Sequence, residues 1–119
     1  MRVIAKPALI EFWTEHPDAE TPLLNWYTHI RKQSFANFNE LRQTFSSADL
    51  ADNFTIFDIG GNKYRLITRI IYRLQVVFIR AVLTHEQYNT WTPKDDPWNK
   101  RAAQTKSPST KTSPRKGDN

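Results

Sequence analysis

The chain has 119 residues, 39% of them hydrophobic, with a formal charge of +5, three glycines and no cysteine. That is enough for one domain with a modest core, and it excludes disulfide scaffolds, Cys-ligated zinc, multidomain enzymes and the glycine-rich dinucleotide and P-loop folds. No apolar run approaches the roughly 20 residues of a membrane span, and no charged segment precedes a secretory apolar stretch.

Residues 1–5 read as a short opening strand. Pro7 suits the first turn of a helix, and Leu9, Phe12, Trp13 and His16 follow at helical spacing until Pro17 stops it. Thr21-Pro22 reads as a second helix start, with Thr21 as N-cap. Leu23, Trp26, Tyr27 and Ile30 then form an apolar stripe, and Arg31 and Lys32 complement the helix C-terminus. A third helix is expected over 39–45, with Phe38, Leu41 and Phe45 facing inward. From Phe54 the pattern changes. Residues 54–59 read as a strand, Gly60-Gly61-Asn62 as a tight turn, 63–72 as a second strand and 76–84 as a third. The link from Tyr72 to Gln75 is short enough for another hairpin. His85 to Trp91 reads as a final short helix before Pro93. The order predicts an α+β fold, with an N-terminal strand and helices packed on an antiparallel meander.

The charge is uneven. Residues 1–59 carry −3, 60–80 carry +5 with no acid, 81–98 carry −2 and 99–119 carry +5. The last segment is basic, rich in Ser, Thr, Pro and Lys, and has only Ala102 and Ala103 as apolar residues. It cannot bury enough surface to offset its ordering entropy, so a disordered tail is expected after a 1–98 domain. The other basic block lies within the strands. Alternation puts Arg65, Arg69 and Arg73 on one side, about 13 Å apart, and Arg80 on the next strand joins them if the register allows. Arginine forks suit phosphate. With Tyr64, Tyr72, Phe78 and Tyr88 close in sequence, this is a pattern for single-stranded RNA, against the alternative of a salt-bridged outer sheet face.

His85, just past a strand, suits general acid–base work. His16 and His29 read as surface or capping residues, and the three histidines have no metal-ligand spacing, so no metal is expected. Asp95-Asp96 reads as a solvated loop pair.

Residues 58–67, DIGGNKYRLI, resemble the GGNxxRL signature of HigB-type toxins. Residues 79–88, IRAVLTHEQY, resemble their second signature, IRxVxTHxEY, with Gln87 at the position of its glutamate. Residues 40–49 resemble the ELRxxFPSxD segment of the same family. The resemblance covers about residues 1–91. It implies a RelE-like fold and a cytoplasmic mRNA endoribonuclease that acts in the ribosome without metal or cofactor, is held in check by a HigA-like helix-turn-helix antitoxin and does not act at a membrane. The implied chemistry is attack of the ribose 2′-hydroxyl on the adjacent phosphodiester. This needs a base, an acid and cations for the developing charge. Arg65 is expected to stabilise the phosphate, Arg80 to be a second phosphate contact or a structural arginine, and His85 to act as acid or base. Asn62, Lys63, Arg69, Arg73 and Tyr88 are expected to contact RNA, with Lys63 the alternative base. Competing readings are a ParE-like toxin of the same fold that binds DNA gyrase, and a non-enzymatic RNA- or ribosome-binding module.

Overall fold

In a computed structural model, residues 1–97 are described. The elements run β1 (Arg2–Ile4), α1 (Lys6–Glu15), a 3-10 turn (Pro17–Ala19), α2 (Glu20–Arg31), α3 (Phe38–Thr44), β2 (Asp49–Ala51), β3 (Phe54–Ile59), β4 (Tyr64–Ile71), a 3-10 turn (Tyr72–Leu74), β5 (Val76–Thr84), α4 (His85–Thr90) and a 3-10 turn (Pro93–Asp95). The sheet order is β1-β5-β4-β3-β2. Strands β2 to β5 form the expected antiparallel meander, and β1 adds to its edge parallel to β5. The basic segment 99–119 lies outside the described residues.

One local expectation is corrected, and one strand was not foreseen. Thr21 does not cap α2. The 3-10 turn runs straight into the helix at Glu20, so Thr21 is already helical. Pro22 is then the third helical residue, where a missing N–H leaves no intrahelical bond unmade. Strand β2 has no sequence signature because three residues are too few for alternation to show. It is placed by the Asp52-Asn53 turn, with Asp52 at φ 53°.

Leu9, Leu23, Trp26, Ile30 and Leu41 pack on Phe57, Ile59, Leu66, Ile70 and Val77 on one sheet face. Leu9, Leu23, Ile30 and Leu41 are fully buried, and truncating any of them to alanine would cost about 2–5 kcal/mol. The other face carries Phe54, Ile56 and Ile67, covered by Tyr88 and Trp91 from the C-terminal segment. The helices therefore cover both faces, α1–α3 one and α4 the other. This is why β3 is buried almost throughout rather than at alternate residues.

Strand β5 contains a bulge. Ile67 pairs with Ala81 and Thr68 with Ile79, so Arg80 is the extra residue that the register between the two strands skips. The bulge shifts the phase of the strand. Val77, Ile79 and Val82 all pack on the α1–α3 side, while Ala81 and Leu83 pack on the α4 side.

Candidate active site

Hairpin β3–β4 turns through residues 60–63, with φ of 63° at Gly60 and 70° at Gly61. These left-handed values favour glycine. At Gly61 an added Cβ would meet nothing within 4 Å, so conformation rather than space selects the residue. The turn aligns Ile59 with Tyr64 and Asp58 with Arg65.

Asp58 and Arg65 thus face each other across the strands, with Arg65 Nε 3.1 Å from Asp58 Oδ1. The Arg65 side chain is only 11% exposed. Its Nη1 donates to the Tyr64 carbonyl at 3.2 Å and its Nη2 to Asn62 Oδ1 at 3.2 Å. Its guanidinium carbon lies 5.5 Å from the centre of the Tyr88 ring, within the range of a cation–π contact. Tyr88 in turn stacks on Trp91 at 6.1 Å, and Trp91 meets Phe54 edge-on at 5.8 Å. Arginine is thereby fixed from four sides. Of its five N–H groups, at least two are left for a ligand.

Strand β5 delivers α4 to the same end of the sheet. Thr84 caps α4, its Oγ1 accepting from the Gln87 N–H at 3.2 Å while Gln87 Oε1 accepts from the Thr84 N–H at 3.0 Å. Glutamine closes this capping box as well as glutamate does, so the departure from the second signature at Gln87 keeps the local fold. The His85 N–H donates to the Lys63 carbonyl at 2.9 Å, tying the helix start to the hairpin turn. The His85 imidazole is exposed and makes no hydrogen bond among the described residues.

Lys63 belongs to a neighbouring cluster. Its Nζ lies 2.8 Å from Asp18 Oδ2, and the Tyr64 hydroxyl donates to the same carboxylate. Lys63, then Tyr64, hold the Asp18 carboxyl below its usual range; the Asp18 carboxylate, then burial, raise the Tyr64 hydroxyl. His16 caps the end of α1, its N–H donating to the Phe12 carbonyl at 2.9 Å, and its ring stacks on Phe12 at 4.4 Å and meets Tyr64 edge-on at 5.7 Å. His29 is exposed, with Nδ1 2.7 Å from the Asn25 carbonyl.

The row of three arginines is interrupted. Arg65 and Arg69 share a strand face, Arg69 opposite Phe78. Arg73 lies in the 3-10 turn after β4, exposed and at the far end of the strand. The strand ends at Ile71, and Gln75, at φ 55°, turns the chain back. Arg80 is likewise apart from the Arg65 cluster. Its Nε and Nη2 lie 2.9 and 3.0 Å from the two oxygens of Asp96, which fits the structural alternative. Asp96 is only 4% exposed, so Asp95-Asp96 is not a solvated pair: Asp96 is buried against the arginine, and Asp95 accepts from the Thr92 N–H at 2.8 Å.

Of the expected site residues, the fold brings Asn62, Arg65 and Tyr88 into contact and sets His85 at their end of the sheet. Sequence reading missed Asp58, Trp91 and Asp96. Asp58 had a signal: a four-residue turn over 60–63 sets it opposite Arg65. Asp96 had none, because its partner is chosen by the bulge.

The strand order and the helices on the sheet define a small RelE-like α+β domain. Residues 19–91 match the family described as "HigB_toxin, RelE-like toxic component of a toxin-antitoxin system", and the chain belongs to this family. It is 30% identical over 95 residues to the mRNA interferase toxin HigB of Escherichia coli strain K12, covering 77% of this chain and 91% of that protein. The mRNA interferase HigB of Shigella flexneri matches to the same extent. The mRNA interferase HigB of Escherichia coli O6:H1 strain CFT073 is 25% identical over 95 residues, covering 77% of this chain and 92% of that protein.

Proposed function

We propose that this chain is the toxic half of a toxin–antitoxin pair and an mRNA endoribonuclease. The observation that carries the reading is the Arg65 cluster: an arginine held by Asp58, Asn62 and the Tyr88 ring, on the segments that carry both family signatures. The names of the curated relatives support mRNA as the substrate.

In this reading the ribose 2′-hydroxyl attacks the adjacent phosphorus and the 5′-oxygen leaves, giving a 2′,3′-cyclic phosphate and a 5′-hydroxyl. Arg65 offers its remaining N–H groups to the non-bridging oxygens as charge grows on them. Asp58 and Asn62 fix the direction of the fork, so little reorganisation is needed at the moment of reaction. His85 moves the proton as base or acid, its exposed ring at the turn end of the sheet. Tyr88 holds the guanidinium from one face and presents its free edge to a base. Arg69, farther along the strand, contacts the RNA backbone. Lys63, already paired with Asp18, serves as a peripheral cation. Cutting depends on the ribosome, the protein acts in the cytoplasm, and a HigA-like helix-turn-helix antitoxin restrains it.

The test is to induce wild type, Arg65→Ala and His85→Ala without antitoxin and map new mRNA 5′ ends. Cuts inside translated frames are expected from wild type. Arg65→Ala should lose about 10²–10³-fold in cutting and His85→Ala about 10²–10⁴-fold, with circular dichroism unchanged for the latter. No cuts from folded wild type would overturn the reading. Growth arrest without cuts would then point to gyrase or another target, and normal growth to a binding module.

A further inference from the structure

At the end of the sheet away from Arg65, a cavity of about 500 Å³ opens between β1, α2 and the turn after β4. Arg65 and Ile71 are about 20 Å apart at strand rise, and the cavity lies beyond Ile71. Arg2, Tyr27, Arg31 and Leu74 line it, and no carboxylate does. Arg2, Arg31 and the adjacent Arg73 are exposed, and none of the three has an acidic partner among the described residues. Lys6 and Arg31 both stand over the Tyr27 ring, at 5.0 and 5.2 Å from its centre. Leu74 is 56% exposed, as exposed as any large apolar side chain among the described residues.

We propose that this cavity docks an acidic protein segment with an apolar anchor, supplied by the antitoxin that membership of a toxin–antitoxin family implies. The helix dipole accounts for a base at position 31, but not for Arg2 brought into the same lining from β1. Like charges held together without acidic partners raise the potential of the surface, and an acidic chain relieves it. Two features favour protein over RNA. The Tyr27 ring is already occupied by two cations, so it is not open to a stacking base. Leu74 gives an apolar contact that a phosphate backbone does not use but a leucine or phenylalanine among carboxylates does. The site leaves the Arg65 cluster uncovered, so restraint from here works by keeping the toxin out of a confined space, not by filling its active site. The inference rests on the toxin part of the proposed function and is independent of how RNA is cut.

The antitoxin encoded with this toxin, purified, is the probe. It is titrated by calorimetry onto the full-length toxin, the double variant Arg2→Glu/Arg31→Glu, the milder Arg2→Gln/Arg31→Gln and the single Leu74→Ser, each checked for fold by circular dichroism. Charge reversal should weaken binding by at least about tenfold, the glutamine pair by less, and Leu74→Ser by about three- to tenfold. Arg2→Lys/Arg31→Lys should stay close to wild type because the charge remains. Unchanged affinity in folded charge-reversed or glutamine variants overturns the proposal. So does lost mRNA cleavage with antitoxin affinity intact, which would make the patch an RNA surface. If wild type cuts no mRNA while these affinity losses are found, the endoribonuclease reading fails and the docking site stands.

Discussion

Arg65 combines a structural place in the hairpin with the role proposed for it in the chemistry. It is nearly buried, yet its partners are a carboxylate, a carbonyl, an amide oxygen and a ring face, and N–H groups remain for a ligand. Lysine would keep the charge but lose the planar fork that these partners match. Arg65→Lys should therefore cut RNA about 10²-fold more slowly, approaching Arg65→Ala, in a single-turnover assay. Recovery of most activity in the lysine variant would show that charge alone suffices. The residue was legible in the sequence through its place in the GGNxxRL-like motif. Its carboxylate partner follows once the hairpin turn is counted correctly, because Asp58 and Arg65 are then equidistant from the turn.

At the level of elements, short structures hold the site. Helix α4 has only six residues, too few to persist on propensity alone, and depends on its cap and its packing. Gln87→Ala should lower unfolding free energy by about 1 kcal/mol, and Gln87→Glu should keep it; denaturant melts with unchanged slopes would measure both. The clasp between Arg80 and Asp96 is more demanding, since it sets a charge in a buried position. Asp96→Ala leaves the half-buried arginine without that carboxylate, and about 3–5 kcal/mol should be lost. Arg80→Met/Asp96→Leu should recover part of that in thermal melts. A double variant no better than the single would show that packing around Asp96, and not its charge, is what matters. The main helices and the hairpin strands were readable from apolar spacing and turn residues. The bulge, the short strand β2 and the clasp were not, because each depends on pairing between segments distant in sequence.

For the molecule as a whole, the sheet is covered on both sides and its two ends differ in character. One end gathers Arg65 and His85, the other the cavity lined by Arg2 and Arg31. The helical layer is joined to the hairpin turn by Asp18, which takes both Lys63 and the Tyr64 hydroxyl. Because Asp18 is held below its ordinary range, the folded state binds its proton less readily than the unfolded chain does. Its contribution is present above the unfolded carboxylate pKa and is lost as pH falls through the lower folded value. Asp18→Asn should thus melt below wild type at neutral pH, and the gap should close on acidification through the carboxylate range. A gap independent of pH would mean that the carboxylate charge plays no part in the junction. The α+β class was evident from the order of elements. That helices cover both faces was not, since an apolar strand does not say which element covers it.

The extra residue in β5 makes the length of that strand a matter of odd and even. Everything after Arg80, from Ala81 to the start of α4, faces where it does because the register skips one residue there. A chain of this family that lacked the bulge residue would have to carry its apolar positions one step out of phase, or Leu83 and Val82 would exchange sides and the histidine at the helix start would leave the turn. Insertions and deletions in this stretch are therefore constrained by parity, and an alignment of relatives across it has to respect that count before it compares any residue identity.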